Sequence, residues 1–314
     1  VAEAEVVFLP YYARLLMDRS AAERAEARGA VVRLLAETNA SSGSATFLLV
    51  HSSTRSAGLF PLVLRSQMAR PNWHVLTFAG AWRRDGEVVQ VDWRPNRYKF
   101  RYQHDVTVPF YVPTPFARQG LALAGFTDEQ LHREKTILVH MYVTPNNPQR
   151  LELLDMFRAE WKKGTFKDLS LDIRIHGTYG RATGAEYVAM AMDSMRHSTF
   201  CPVPPGIIPV TRRLYEAVLF ECIPVITSPT VVAFHTLQEA GDFSVMWLGG
   251  NLSGLARHLM DMPAAEVVRK RQNLRRVKPL LLYAEEGLEG LRGHRTAIEG
   301  ILETLWCHLS RPGS

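Results

Sequence analysis

Residues 197–226 read HSTFCPVPPGIIPVTRRLYEAVLFECIPVI, and this stretch decides the fold. STFCPV is a short apolar run typical of a buried strand, and PPGIIPVT is a loop with three prolines and one glycine. Thr211 is a strong N-cap residue type, and the residues after it predict a helix. ECIPVI then predicts a second strand, so the stretch forms one unit of a parallel α/β sheet.

The same alternation extends along the rest of the chain. Apolar runs predict strands over residues 6–10, 46–51, 73–79, 106–110, 136–143, 169–177, 198–203, 223–227 and 243–248. Longer segments predict helices over 12–38, 57–70, 148–163, 185–196, 211–220, 252–263, 264–283 and 285–309. Pro113, Pro115 and Gly120 interrupt the pattern and predict a linker over 113–134. We therefore expect two α/β domains, with ligands at the carboxyl ends of their strands.

Composition excludes few classes of protein. The chain has 314 residues, 46% of them apolar and 22% charged, which is ordinary for a globular protein. The net charge of +6 is compatible with nucleic acid, anionic glycans or nucleotide phosphates. The densest basic cluster predicts a solvated helix face rather than a nucleic-acid patch, so no nucleic-acid partner is expected. Its members are Arg269, Lys270, Arg271, Arg275, Arg276 and Lys278.

Cysteines and sequons give weak signals. Cys201, Cys222 and Cys307 indicate neither a disulfide framework nor a metal site. Two N-glycosylation sequons occur, at 39–41 and at Asn251-Leu252-Ser253. The seven asparagines of the chain would give about one sequon by chance, so the two favour secretion only faintly. The first residues lack the pattern of a signal peptide and resemble an interior strand, so we expect a fragment or a trimmed domain.

The residues around Thr211 suit a phosphate ligand. A helix N-terminus that follows a strand offers free N–H groups and the positive end of a dipole. Arg212 and Arg213 add guanidinium groups that match a pyrophosphate, and Glu216 can accept hydrogen bonds from ribose hydroxyls. The same spacing also fits a surface ion pair, and Gly206 also fits an ordinary turn. Spacing alone therefore leaves nucleotide binding and a plain crossover both open.

The stretch resembles the diagnostic motif of the exostosin-like glycosyltransferases. These enzymes include heparan-sulfate polymerases of animals and cell-wall glycosyltransferases of plants and algae. The resemblance is dense over residues 187–283 and sparse before them. The residues in register are Ser198, Phe200, Cys201, Pro204, Gly206, Thr211, Arg213, Glu216, Ala217, Cys222, Ile223, Pro224 and Val225.

The resemblance implies a GT-B architecture of the α/β class, in which two Rossmann-like domains face each other across a cleft. Residues 1–125 would form the acceptor-side domain, truncated at its start. Residues 126–284 would bind the donor nucleotide, and 285–314 would be a C-terminal helix that packs back on the first domain. Within the donor domain, Arg213 would contact the diphosphate beside Arg212, Glu216 would hold the ribose, and the pocket would be shaped by Ser198, Gly206 and Thr211.

The implied reaction moves a sugar from a UDP-sugar to a glycan or glycoprotein acceptor, with inversion at the anomeric carbon. The resemblance also implies that no cofactor and no metal are needed. The physics is consistent with this, since a helix N-terminus and an arginine can neutralise the leaving diphosphate. No Asp-x-Asp motif occurs in the sequence, which agrees with this expectation. The resemblance further implies a Golgi or other secretory-pathway membrane, with the domain in the lumen and the anchor outside this chain. A hetero- or homodimer with another glycosyltransferase is also expected.

Several residues depart from the family pattern. Ile207 follows Gly206 where a polar residue is usual, and Glu221 replaces the usual glycine before Cys222. Thr227-Ser228 stands where an acidic residue is frequent, and the stretch HMYVTPNNPQR contains Arg150 as its one basic side chain after the strand. These departures favour an alternative, in which the chain is a non-catalytic, glycosyltransferase-like subunit that stabilises an active partner.

An inverting transfer needs a base, which we expect in the first domain. Asp105 is the candidate, because it lies at a family-like position just before a strand; a structural cap at the strand edge is the alternative. Further candidates near strand ends are His51, Asp92, His104 and Asp18. Aromatic residues that could stack on an acceptor sugar, or lie in the core, are Tyr11, Tyr12, Trp73, Trp82 and Trp93.

Overall fold

A computed structural model describes most of the second half of the chain and parts of the first. The described residues are 6–9, seven positions between 22 and 33, 46–51, 72–78, 81–84, 87–90, 101, 104–144, 147–164, 170–175, 184–206, 211–228, 230, 232–285 and 287–310. The chain divides into two compact units, one of residues 1–108 with 301–314 and one of residues 109–300. Whether independent domains have the limits 1–125, 126–284 and 285–314 stays a prediction.

The first unit contains a parallel sheet. Its strands are β1 (Val6–Leu9), β2 (Thr46–His51), β3 (Trp73–Thr77) and β6 (Val106–Thr107), hydrogen-bonded in the order β1-β2-β3-β6. Between β3 and β6 lies an antiparallel hairpin of β4 (Ala81–Arg84) and β5 (Glu87–Gln90), which was not predicted. All five residues of β3 are buried, as expected of a parallel strand covered on both faces.

The second unit contains a five-stranded, all-parallel sheet. Its strands are β7 (Ile137–Val143), β8 (Ser170–Ile175), β9 (Ser198–Val203), β10 (Ile223–Ile226) and β11 (Val245–Met246). They pair in the order β11-β10-β9-β7-β8. Counted along the chain this is the order 2-1-3-4-5 of a doubly wound sheet, so the predicted α/β class with parallel sheets is confirmed.

Helices connect and cover these strands. Those of the chain from residue 114 onward are α1 (Thr114–Ala122), α2 (Asp128–Glu134), α3 (Pro148–Lys162), α4 (Gly184–Arg196), α5 (Arg212–Leu219), α6 (Leu237–Phe243), α7 (Leu255–Met260), α8 (Ala264–Val277) and α9 (Ala297–Leu309). Helical residues between 22 and 33 agree with the predicted helix over 12–38. Among the described residues, no helix has the length and apolar character that a membrane span requires.

The predicted linker over 113–134 is wrong, because most of it is helical. Pro115 lies in the first turn of α1, where a proline costs no hydrogen bond. The hydroxyl of Thr127 accepts the N–H of Gln130, and the Gln130 side chain accepts the N–H of Thr127, which makes a capping box for α2. Pro113 and Pro115 thus both lie at the start of one helix, α1, and do not interrupt a pattern.

Cys201 in β9 and Cys222, just before β10, form a disulfide bond with their Cα atoms 5.7 Å apart. β9 and β10 are neighbouring parallel strands, with Cys201 opposite Pro224, so Cys222 lies only two residues before the register partner of Cys201. The prediction that the cysteines form no disulfide is therefore wrong, since a count of three says nothing about which strands pair. Cys307 is free and exposed.

The basic face of α8 is only partly solvated, which corrects the sequence prediction. Lys270 and Arg271 are buried, and so is Lys278 just beyond the helix. The Lys270 ammonium donates to the carbonyls of Gly241 and Ser244, both at 2.9 Å. Burial lowers the pKa of Arg271 to about 10. These side chains bind α8 to the rest of the second unit instead of facing water.

The ends of the chain's last elements also differ from the predictions. The predicted strand over 243–248 is the end of α6 followed by the two-residue strand β11. The helix expected over 264–283 ends at Val277 and is followed by a short 3-10 turn, Pro279–Leu281. The last helix begins at Ala297 rather than at 285. Pro279 explains the earlier stop, because proline cannot continue the hydrogen-bond ladder of α8.

Candidate functional site

The candidate site lies where the strand order of the second unit reverses. β7 has β8 on one side and β9 on the other, so the connections that leave β7 and β9 run in opposite directions along the sheet. A crevice opens between two such connections at the carboxyl ends of the strands, and ligands of doubly wound sheets bind there. In this chain the crevice lies between Thr144, after β7, and Pro204, after β9.

A small pocket of about 70 Å³ occupies this crevice. Residues from four places line it: the end of β7, the first turn of α3, the position after β9 and the start of α5. The lining residues are Tyr142, Val143, Thr144, Arg150, Pro204, Thr211 and Arg213. The structure therefore brings Thr211 and Arg213, which were predicted from the motif, to the topological switch point of the sheet.

Thr211 precedes α5 with an extended backbone, at φ −131° and ψ 148°, as an N-cap residue does. Its side chain nevertheless makes no capping hydrogen bond, although the sequence predicted one. The hydroxyl oxygen is buried and has no hydrogen-bond partner among the described residues. A buried hydroxyl without a partner is costly, so this oxygen is available to a ligand in the pocket.

Arg213 lies in the first turn of α5, a quarter exposed. Its guanidinium carbon is 5.3 Å from the ring centre of Tyr142, and its Nε is 3.7 Å from a carboxylate oxygen of Glu216. Its Nη1 is buried and has no hydrogen-bond acceptor in the described part of the chain. Burial lowers the pKa of Arg213, while Glu216 opposes that effect. The guanidinium is thus held in place, while the two N–H groups of Nη1 have no acceptor among the described residues.

Glu216 lies one turn along α5 and is 2% exposed. The Nε of Arg212 donates to its carboxylate at 2.6 Å, and Arg212 itself is about half exposed. In this structure the two arginines hold the carboxylate, and it does not line the pocket. This contact is the ion pair that the sequence left open beside ribose binding.

Arg150 and Asn147 fix the loop that follows β9. The Arg150 guanidinium donates to the carbonyls of Pro205 at 2.8 Å and Thr144 at 3.1 Å. The Asn147 side-chain amide donates to the carbonyl of Gly206 at 3.4 Å. Burial lowers the pKa of Arg150, and the nearby charge of Arg213 lowers it further. Sequence reasoning missed Asn147, although Asn-Pro is a common start of a helix, and here its side chain also caps α3.

Two other predicted residues lie differently. Gly206 is not among the residues that line the pocket, although its carbonyl accepts from Asn147. Residues 207–210, with the departure Ile207, are outside the described residues. Ser198 begins β9, at the end of the strand opposite to the pocket, about 16 Å away along the strand. Its buried hydroxyl donates to the carbonyl of Ser194 at 2.6 Å. The structure does not bring Ser198 to the pocket.

The first unit shows Asp105 as part of a buried hydrogen-bond network. The carboxylate is 2% exposed, and it accepts the backbone N–H groups of Val75 at 3.1 Å and Arg101 at 2.7 Å. The Arg101 guanidinium completes the set at 3.0 Å. These contacts favour the alternative interpretation, a structural cap at the strand edge, over a base that faces an acceptor.

The other candidates of the first unit give little support for a site. His104 lies beside His74, with ring centres 5.9 Å apart. Trp73 is fully buried, which places it in the core rather than on an acceptor surface. The remaining candidates fall outside the residues or side chains that the structure describes. These are Tyr11, Tyr12, Asp18, His51, Trp82, Asp92 and Trp93.

Comparison with known proteins gives matches to one family. The model of the exostosin GT47 domain matches residues 1–246 of the chain. A probable glucuronosyltransferase of Oryza sativa subsp. japonica is 36% identical over 90 residues, which are 28% of this chain and 21% of that protein. A probable xyloglucan galactosyltransferase of Arabidopsis thaliana is 28% identical over 131 residues, which are 36% of this chain and 29% of that protein. The matches thus span less than a third of each relative's length.

Proposed function

Because the chain belongs to the exostosin GT47 family, we propose that it is a glycosyltransferase that moves a sugar from a UDP-sugar to a glycan or glycoprotein acceptor, with inversion. The two relatives are named as a glucuronosyltransferase and a xyloglucan galactosyltransferase of plants. A cell-wall glycan is therefore the acceptor class that we favour. The proposal includes a GT-B arrangement, which the parallel sheet in each unit supports.

The observation that carries the proposal is a pair of unused polar groups in the switch-point pocket. The Thr211 hydroxyl and the Nη1 of Arg213 are buried without partners in the described part of the chain, and both residues line the same pocket. They lie at the N-terminus of α5, where the helix dipole favours an anion. One phosphate oxygen can accept from the guanidinium and another from the hydroxyl, which would satisfy both groups.

The donor diphosphate would change the contacts of Glu216. An anion beside Arg213 competes with Glu216 for the guanidinium, because both are negative partners of the same cation. The carboxylate is then freed on one side and can accept the ribose hydroxyls, while Arg212 still donates to its other oxygen at 2.6 Å. Ribose binding by Glu216 is thus a consequence of diphosphate binding in this proposal.

The leaving group in the proposed reaction is a diphosphate. Arg213 and the dipole of α5 lie at this position, and charge that develops in the transition state is stabilised by groups that are already oriented. Arg150 contributes indirectly, since it holds the loop at Pro205 against Thr144. In the proposal these groups act without a metal. The base that takes the proton of the acceptor hydroxyl is not assigned, because Asp105 is buried and occupied.

We place the protein in the lumen of the Golgi or another compartment of the secretory pathway. The disulfide between Cys201 and Cys222 supports this proposal, because such bonds persist in oxidising compartments and are rare in the cytosol. The basic character of the chain also suits anionic glycans or nucleotide sugars. A partner glycosyltransferase in a hetero- or homodimer remains part of the proposal.

Substitution of Arg213 tests the proposed donor site. We expect Arg213→Ala to lower kcat/KM for UDP-sugar turnover by about 100-fold or more, because one oriented donor to the transition state is lost. Arg213→Lys keeps the charge but lacks the paired N–H donors of a guanidinium, so its kcat/KM should lie between those of the parent and Arg213→Ala. UDP affinity, measured by calorimetry, should weaken in the same order.

The matched control is Arg269→Ala, which removes an exposed helix arginine that pairs with Glu266. This control should retain both UDP binding and turnover, and circular dichroism should show that all variants remain folded. Undiminished UDP affinity and turnover in folded Arg213→Ala would rule out the assignment of Arg213 to the donor diphosphate.

A non-catalytic subunit that stabilises an active partner is the second candidate. The small pocket favours it, because about 70 Å³ is well below the roughly 300 Å³ or more of typical ligand sites. The ion pairs of Glu216 point the same way, since the carboxylate is occupied without a ligand. Calorimetry with UDP separates the two functions. A dissociation constant of about 1 mM is the weakest affinity that a donor site would need, so absence of binding at millimolar UDP would favour the non-catalytic subunit.

A further inference from the structure

The loop between β11 and α7 carries the sequon Asn251-Leu252-Ser253. Asn251 and Ser253 are both exposed. Gly250 and Gly254, on either side of the sequon, have φ values of +72° and +81°, which glycine adopts without strain. A Cβ atom added at either glycine would meet nothing within 4 Å. The loop thus turns out into open space, with room for a bulky group.

Hydrogen bonds fix the backbone of this loop. The indole N–H of Trp247 donates to the carbonyl of Asn251 at 2.7 Å. The N–H of Ser253 donates to the Asn251 side-chain oxygen Oδ1 at 2.8 Å, which forms an Asx turn. The amide nitrogen Nδ2 lies on the other side of that carboxamide and makes no hydrogen bond to any described residue. Modification at Nδ2 would therefore leave the contacts of the loop intact.

The Cys201–Cys222 disulfide supplies a second, independent observation. A chain with this bond is expected to pass through an oxidising compartment. In eukaryotic cells that compartment is also where sequons receive glycans. The inference rests on the lumenal location proposed above, but not on the glycosyltransferase activity.

We propose that Asn251 is an N-glycosylation site of this protein. The donor is an oligosaccharide joined to a lipid through a diphosphate. The Nδ2 atom of Asn251 forms a bond to the anomeric carbon, the bond from that carbon to the diphosphate oxygen breaks, and Nδ2 releases one proton, through the transferring enzyme, to the solvent. The lipid diphosphate leaves with the electron pair, so the step needs no oxidant and no further reactant.

The glycan would stand at the carboxyl edge of the sheet without entering the pocket. β11 is separated from β9 by β10, which places the start of the loop, at the end of β11, roughly 10 Å from the carboxyl end of β9. No residue of the loop lines the pocket at Thr211 and Arg213. Removal of the glycan should therefore leave UDP binding unchanged, which separates this inference from the proposed function.

The test uses the full chain, expressed through the secretory pathway of a eukaryotic host. We expect peptide mass spectrometry to find Asn251 glycosylated, and peptide N-glycosidase to convert it to aspartate. Asn251→Gln and Ser253→Ala should abolish the modification at this position. Ser253→Thr should retain it, because threonine also completes a sequon. Asn39→Gln removes the other sequon and should not change the result at Asn251.

An unmodified Asn251 in the secreted chain would overturn the proposal, whatever the state of the cysteines. If alkylation shows Cys201 and Cys222 oxidised, the chain entered an oxidising compartment and the loop was not recognised as a sequon. If it shows them reduced, the proposed compartment is wrong. Calorimetry of Asn251→Gln with UDP reports on the nucleotide site separately. A loss of modification in Ser253→Thr together with Ser253→Ala would also contradict recognition as a sequon.

Discussion

Glu221 illustrates how a single residue departs from its family without disturbing the fold. Its backbone has a φ of +53°, a left-handed conformation that suits the glycine usual at this position in exostosin-like enzymes. The side chain is fully buried, and its carboxylate accepts from Lys278 at 2.6 Å and Arg275 at 2.7 Å. Burial lowers the pKa of Lys278, and the charge of Glu221 counteracts this effect. Two ion pairs thus accompany the strained backbone.

Replacement of Glu221 by glycine should destabilise the protein. Relief of the backbone strain is worth about 1 kcal/mol, whereas a buried charge that loses its partner costs about 3–5 kcal/mol. We therefore expect Glu221→Gly to lower the free energy of unfolding by about 2–4 kcal/mol in urea titrations. Adding Lys278→Met should recover much of the loss, because the buried ammonium is then absent.

The control is Asp155→Ala, which breaks the exposed pair with Arg158 and should cost less than about 1 kcal/mol. A Glu221→Gly protein as stable as the parent would show that the ion pairs contribute no more stability than the backbone strain costs.

At the scale of elements, the apolar patterns predicted most strands and helices of the second unit. β9 spans the predicted residues 198–203, and α3 ends one residue before its predicted end. The prediction of a linker failed because proline occurs both in turns and in the first turn of helices, and glycine both in turns and at close helix contacts. Local sequence does not distinguish these roles. The burial of Lys270 and Arg271 was missed for a related reason: their acceptors lie on other elements.

Gly120 shows what this segment contributes as a helix. It is buried in α1, and a Cβ atom at this position would overlap the side chain and the carbonyl oxygen of Leu219 in α5. Glycine therefore permits the close approach of α1 to the helix that carries the candidate site. Its carbonyl also accepts from Lys278 at 3.2 Å.

Gly120→Ala should lower stability by about 1–3 kcal/mol, because overpacking outweighs the better helix propensity of alanine, which is worth about 1 kcal/mol. Gly125→Ala is the matched control, since an added Cβ there meets nothing within 4 Å and should change stability by less than about 1 kcal/mol. Thermal denaturation of both variants measures the difference. Equal stability of the two would mean that α1 can move away from Leu219 at little cost.

At the scale of the whole molecule, the alternating strands and helices predicted two α/β parts, but not the order of the strands. The site needs that order: Tyr142 and Thr144 come together with Thr211 and Arg213 because β7 and β9 are neighbours. The motif indicated the second pair, while the first pair gave no signal in the sequence. The disulfide was missed for the same reason, since its cysteines meet through the pairing of β9 with β10.

The charge of the whole molecule makes acid a threat to its stability. The chain carries a net charge of +6 and 11 histidines, so protonation adds charge of the same sign. His74 is 2% exposed, and burial lowers its pKa from the ordinary 6.5. It lies among the rings of His104 and His308 and near Arg101 and Asp105.

Since the folded pKa of His74 is below the unfolded one, the unfolded state binds more protons once the pH falls below about 6.5. The first unit should therefore lose stability on acidification, by at most about 1.4 kcal/mol per pH unit for this group. In melting curves between about pH 7 and pH 5, His74→Gln should show a weaker pH dependence than the parent. His294→Gln, which changes an exposed histidine, should not. If the stability of His74→Gln depends on pH as steeply as that of the parent, His74 is not the source of the loss of stability in acid.

The disulfide turns part of the chain into a closed covalent ring. The bond joins residues 21 positions apart, and the ring contains the end of β9, the following loop and all of α5. A ring that is cut once is still a single piece. A protease that cleaves the chain between Gly206 and Thr211 would therefore leave both fragments joined until a reductant is added. The start of α5, with Arg213, would stay tethered to β9 even after its direct connection to that strand is lost.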